Sequence, residues 1–161
     1  MVSPGGDEAL LTDVGFGISQ VLPVVVQSFY APVGSTVLLE QPELHLHPAV
    51  QKGLADFFIS AAHAREDGQE RQTQFIIESH SEHLLRRFQR RVAEGALRPE
   101  EIALYFCEVV DGAARIRELD LDLFGSIHNW PRDFFGDPME DIAAQTEARL
   151  ERERTPGAPP L

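Results

Sequence analysis

Two short apolar runs constrain this chain more than anything else in it. Thr36-Val37-Leu38-Leu39 and Gln74-Phe75-Ile76-Ile77 are rich in β-branched and aromatic residues and lack polar alternation, the pattern of strands buried on both faces. Between them, Val50, Leu54, Phe57, Phe58 and Ala61 form an apolar stripe at helical spacing behind Pro48, which can open a helix at its first position. That helix is expected to run to about Ala64, and a strand, helix, strand order gives an α/β fold. Each strand leaves the sheet in polar residues, Glu40-Gln41-Pro42-Glu43 and Glu78-Ser79-His80. Open α/β sheets carry their sites at such carboxyl ends.

The flanking segments read more simply. Met1 to Thr12 is rich in Gly, Pro and acids and is expected to be loose. Ile18, Val21, Leu22, Val25 and Phe29 predict a helix from about Gly17 to Tyr30, with Pro23 in its first turns, and Ala31 to Gly34 reads as a turn. Arg65 to Thr73 reads as a polar loop. Ser81 can cap a helix that turns Leu84, Leu85, Phe88 and Val92 inward, stops at Gly95, and leaves Arg86, Arg87, Arg90 and Arg91 on outer faces. Ile102 to Val110, a turn at Asp111-Gly112, and Ala114 to Leu121 predict a hairpin. Asp122 to Asp137 is irregular and aromatic, with Phe124, Trp130, Phe134 and Phe135, and is expected to pack onto the domain. Met139 to Arg152 predicts a polar helix, and Thr155 to Pro160 a disordered tail.

Length and charge bound the function. With 161 residues, 43% of them hydrophobic, the chain can bury one real core. Its 14 basic and 26 acidic residues give a formal charge of -12, which disfavours nucleic-acid binding by this segment alone. Cys107 is the single cysteine, so neither an internal disulfide nor a Cys-rich zinc cluster is possible, and a cytoplasmic location is expected. No signal peptide and no membrane span is read, because Val21 to Val26 is interrupted by Pro23 and followed by Gln27.

The residues that point to chemistry lie at the two strand ends. An apolar strand ending in an acid is how P-loop ATPases hold magnesium through water, with the next residue orienting or deprotonating the attacking water. The longer string Glu40-Gln41-Pro42-Glu43-Leu44-His45-Leu46-His47-Pro48 resembles the Walker B and D-loop run of ABC-type ATPases. Phe75 to Leu85, with Glu78-Ser79-His80-Ser81, resembles the switch-histidine strand and loop of the same enzymes. Upstream, Leu11 to Gln20, with Gly15, Gly17 and Ser19, resembles a divergent signature motif, whose bare amides at a helix start suit an anion. Together with Gly125-Ser126-Ile127-His128-Asn129-Trp130-Pro131, the chain is similar to the C-terminal half of the AAA/ABC-like P-loop ATPases that carry the domain of unknown function 3696, relatives of the OLD-type and SMC-type ATPases.

That resemblance implies a partial P-loop NTPase sheet, ATP and Mg2+ as ligands, and site roles taken position by position. Glu40 would hold the metal through water, Gln41 would position water, His80 would sense the γ-phosphate, and Gly15, Gly17 and Ser19 would contact nucleotide across a homodimer. Three segments are expected: residues 1–98 for the ATPase core, 99–138 for the last strand, hairpin and aromatic stretch, and 139–161 for the terminal helix and tail. Two departures qualify the match. No Gly-x-x-x-x-Gly-Lys-Ser/Thr occurs, and Lys52, the only lysine, has no glycine loop before it, so the chain is not expected to hydrolyse ATP unaided. An N-terminal ATPase half, or a subunit supplying it, is the implied partner, and its phosphate-loop strand would lie between the switch-histidine strand and the strand beginning at Ile102. Gln41 stands where these enzymes usually keep a glutamate; an amide cannot take a proton, so hydrolysis would be slow or would borrow Glu43.

Two other readings compete. His45, His47, His80 and His83 near Glu40 and Glu43 could ligate metal in a hydrolase. The arginines at 86, 87, 90 and 91 could instead make a non-catalytic interaction module that contacts DNA or an acidic partner.

Overall fold

The computed structural model describes residues 16–131 and 145–150. In chain order the elements are α1 (Phe16–Tyr30), β1 (Thr36–Glu40), α2 (Pro48–Ala62), β2 (Arg65–Glu66), β3 (Gln69–Glu70), β4 (Gln74–Glu78), α3 (Glu82–Ala93), a 3-10 turn (Pro99–Glu101), β5 (Tyr105–Val110) and β6 (Ala113–Glu118). Residues 145–150 are helical and exposed. The expected loose opening, the aromatic positions Phe134 and Phe135, and the disordered tail lie outside the described residues.

The two apolar runs pair as parallel strands, β1 beside β4, with Val37 opposite Phe75, Leu39 opposite Ile77 and Glu40 opposite Glu78. Residues on one face of that pair, Leu39, Phe75 and Ile77, pack on a core of Leu46, Leu54, Ala55, Phe58 and Leu84, joined by Val21 and Val24 of α1 and by Phe57 and Phe88. Phe57, Phe58 and Phe75 form a chain of ring contacts, with centroids 5.6 and 5.5 Å apart. Such area is what holds the layer together, at about 25 cal/mol per Å² of apolar surface removed from water.

The opposite face corrects the sequence reading. Leu38 and Ile76 are 72% and 53% exposed, so the strands are covered on one side only among the described residues. An unalternating apolar run signals that both faces are meant to be buried, and the described residues supply helices for one of them.

Local chemistry explains the ends of the elements. Pro48 opens α2 and His47 caps it, its Nδ1 accepting from the Ala49 amide. Ser81 caps α3, its hydroxyl accepting from Leu84 N, and Gly95 closes it at φ 71°. The Arg71 guanidinium donates to the carbonyls of Phe29 and Ala31, satisfying the end of α1. Pro23 sits well inside α1 rather than at its start, where it withholds one main-chain donor.

Three further corrections concern loops and pairing. The stretch from Arg65 to Thr73 is no plain loop: β2 and β3 form a small hairpin turning on Asp67-Gly68, both at positive φ. The hairpin β5–β6 forms where expected, around Asp111-Gly112 at φ 54° and 77°, but its first strand starts at Tyr105 rather than Ile102. It pairs only within itself, and β4 and β5 remain in separate two-stranded sheets among the described residues.

Residues 119–131 fold onto α3. Asp122 accepts from the amides of Ser126 and Phe124 and lies 2.9 Å from His128 Nε2; the Ser126 amide first, then His128 and the Phe124 amide, hold its carboxyl below the usual range. Asn129 ties Asp120 N to Glu118 O. Gly125 then lies against α3, accepting from Gln89 Nε2 at 2.8 Å, and Arg86 stacks 5.3 Å from the Trp130 ring centroid. Of the aromatic residues expected to pack, Trp130 is engaged by Arg86 whereas Phe124 is 79% exposed.

Candidate functional site

The parallel register fixes where the polar strand ends meet. Because Glu40 is the partner of Glu78, both carboxylates leave the sheet side by side on its open face, beyond Leu38 and Ile76. The chain then turns sharply, and Gln41 adopts φ 45°, a left-handed conformation uncommon outside glycine. Its amide N donates to Glu78 O at 2.9 Å, extending the ladder by one bond. Its side chain donates to Glu78 Oε1 at 3.4 Å, and His80 Nε2 lies 3.8 Å from that same oxygen. Gln41, Glu78 and His80 thus converge on one carboxylate, with the His80 side chain 80% exposed.

Behind this exposed trio lies a buried tie. Glu43 is only 7% exposed, and its Oε1 accepts from Ser79 Oγ at 2.7 Å and from His80 N at 2.9 Å. Ser79 Oγ accepts from Ser81 N, Ser81 Oγ donates to Gln51 Oε1, and Gln51 Nε2 donates to Leu46 O. Glu43, the residue expected to be borrowed as a base, is thus buried with its Oε1 engaged by Ser79 and by the His80 amide.

The candidate anion site is only partly described. Gly15 lies outside the described residues. Gly17 and Ser19 stand in the first turns of α1, and a Cβ at Gly17 would come 3.4 Å from the Leu46 side chain and 4.0 Å from His45 O. The helix start is therefore seated on the loop that follows β1.

The competing sites fare differently. Among the described residues no group of three or more His, Cys, Asp or Glu could hold a metal ion. His47 is used as a helix cap, and His45, at φ 63°, belongs to the turn. The hydrolase reading loses its ligand set. The arginines are paired as well: Arg87 and Arg91 reach back to Asp56 of α2 at 3.2 and 2.7 Å, Arg90 and Arg91 bind Glu94, and Arg86 binds Glu82. Hydrogen bonding from Arg91, aided by Arg87, holds the Asp56 carboxyl below its usual range despite burial. Two of the four thus face a neighbouring helix rather than solvent.

In the sequence Glu78 and Ser79 read only as a polar strand end and Ser81 only as a helix cap, and Gln51 carries no role. Glu78 could have been found from strand register, because its partner across a parallel pair is the acid that ends the other strand. Gln51 could not, since its role depends on how α2 is docked.

With this geometry in hand, comparisons with known proteins add three findings. Residues 1–86 match the family model described as "AAA domain, putative AbiEii toxin, Type IV TA system", and residues 97–145 match "Protein of unknown function (DUF3696)". No curated protein matches the chain. A solved structure reported under "Structural biochemistry of ATP-driven dimerization and DNA stimulated activation of SMC ATPases" is similar at 15% identity and TM-score 0.49, covering 90% of this chain and 68% of that one.

Proposed function

This chain belongs to the AAA-domain family, and from that premise we propose that it supplies the Walker B, switch-histidine and signature elements of an ABC-type ATPase. Membership makes an ATPase-like function general to the chain; the residue roles are our reading. The observation that carries it is the register of β1 and β4, which brings Glu40 and the His80 loop to one end of one sheet. In this reading Glu40 holds Mg2+ through water, Gln41 orients the attacking water, and His80 meets the γ-phosphate. Gly17 and Ser19, with Gly15, contact nucleotide bound to a second copy in a homodimer.

The donor set suits magnesium. Glu40 stands beside the exposed carboxylate of Glu78, and the described residues build no three-ligand cage, so the cation would be held by a carboxylate, waters and nucleotide oxygens. When bound, it neutralises charge developing on the phosphates. What the protein does itself is position: the left-handed turn at Gln41 aims an amide, and the Glu43 tie holds the His80 backbone.

The open apolar face at Leu38 and Ile76, and a parallel sheet of two strands among the described residues, support the further proposal that a partner half completes the sheet and brings the phosphate loop. DNA, if the parent protein engages it, would be met elsewhere, since the arginines of α3 are held by acids. Isothermal titration of the isolated chain with Mg-ATP is expected to show no binding tighter than millimolar. Addition of a polypeptide bearing the glycine-rich lysine loop restores it, and loss of Glu40 or His80 then abolishes hydrolysis. Tight ATP binding by the chain alone would overturn the assignment.

A further inference from the structure

Building on the ATPase reading, we propose that Glu43 is the positioning residue of the switch loop, acting through the His80 backbone rather than on water. The sheet ladder between β1 and β4 ends with the bond from Gln41 N to Glu78 O. Beyond it, residues 79–81 cross to α3 without strand partners, and the donors they present need acceptors. Glu43 supplies one acceptor to two of them, Ser79 Oγ and His80 N.

The choice of residue is informative. A carboxylate is a costly group to bury, and a neutral side chain could accept the same two bonds. What the charge adds is a stronger, shorter grip on the His80 amide. The second oxygen, Oε2, is buried with no hydrogen-bond partner among the described residues.

The grip is coupled to the rest of the site. Ser79 passes it to Ser81, Ser81 to Gln51, and Gln51 to Leu46 O. Leu46 is the residue against which Gly17 of α1 packs. The switch loop, the loop after β1 and the start of the signature helix therefore share one set of contacts, with Glu43 as the link that touches His80.

Amide hydrogen exchange on the full 161-residue chain tests this by NMR. Glu43→Ala should speed exchange of the His80 amide about tenfold or more, the factor expected for losing a charge-assisted bond. The Leu39 and Ile77 strand amides should keep their rates. Glu43→Gln should retain most protection, because its amide oxygen still accepts, but shift the His80 amide proton upfield as the charge is lost. Equal acceleration at all amides, with Gln no better than Ala, would assign Glu43 to general packing and overturn the proposal. Should Glu43→Ala fail to fold, Glu43→Gln decides: an unmoved His80 amide proton overturns it. No nucleotide enters this measurement, so tight ATP binding by the chain alone, or failure of the loop-bearing polypeptide to restore binding, would sink the ATPase reading without touching the Glu43 result, and the reverse also holds.

Discussion

The parallel pair β1–β4 and the hairpin β5–β6 each contain two strands, yet they are held by different means. The hairpin closes through the local turn at Asp111-Gly112, with six paired positions over adjacent sequence. The parallel pair is joined through α2 and depends on a core drawn from three helices. Polar side chains gather at the second kind. Side chains from distant sequence meet only where a non-local register fixes them, and Gln41, Glu43, Glu78 and His80 meet at the end of that pair.

The largest expected effect strikes that non-local core. Phe58→Ala, at a site 2% exposed between α2 and β4, should lower stability by about 3–5 kcal/mol. Urea unfolding followed by circular dichroism and by Trp130 fluorescence should shift in parallel; a fluorescence transition left in place would show that the C-terminal region stands alone. Gly125→Ala attacks the junction between the regions. A Cβ there would sit 2.1 Å from Gln89 O at a φ of 75°, so a loss of roughly 2–4 kcal/mol is expected from overpacking and left-handed strain together. Trp130 fluorescence should then change ahead of circular dichroism.

Smaller perturbations sharpen the contrast. Ser81→Ala removes the α3 cap and the bond to Gln51, and should cost about 1–2 kcal/mol by thermal melting, with the hairpin amides unaffected. The smallest is Asp56→Asn. The folded carboxyl titrates below 3.8, so its contribution is complete above that value and is lost as pH falls through the lowered one. The wild-type chain should therefore lose melting temperature on acidification faster than Asp56→Asn, and identical slopes would mean that the Arg87 and Arg91 pairs do nothing for stability.

Much of this was legible in the residues. Unalternating apolar runs located β1 and β4 nearly to the residue, Pro48 and Ser81 marked helix starts, and Asp111-Gly112 marked the hairpin, because each signal is local. Three things were not. The exposure of Leu38 and Ile76 depends on what covers the sheet, which periodicity does not report. The direction of Arg87 and Arg91 depends on where α2 lies beside α3. The burial of Glu43 arises from a turn with left-handed residues at Gln41 and His45, a conformation that side-chain type alone does not announce. Asp67-Gly68 did carry a turn signal for β2–β3, overshadowed by the polarity around it.

The backbone contact between Gly125 and Gln89 has a consequence for engineering. It ties Gly125, inside the second matched segment at residues 97–145, to Gln89 of α3, which lies between that segment and the first at 1–86, and it leaves no room for even a methyl group. A graft of the C-terminal module onto another ATPase must carry its own α3 along; a chimera spliced at residue 96 would bring a knob to a surface that has no matching hollow.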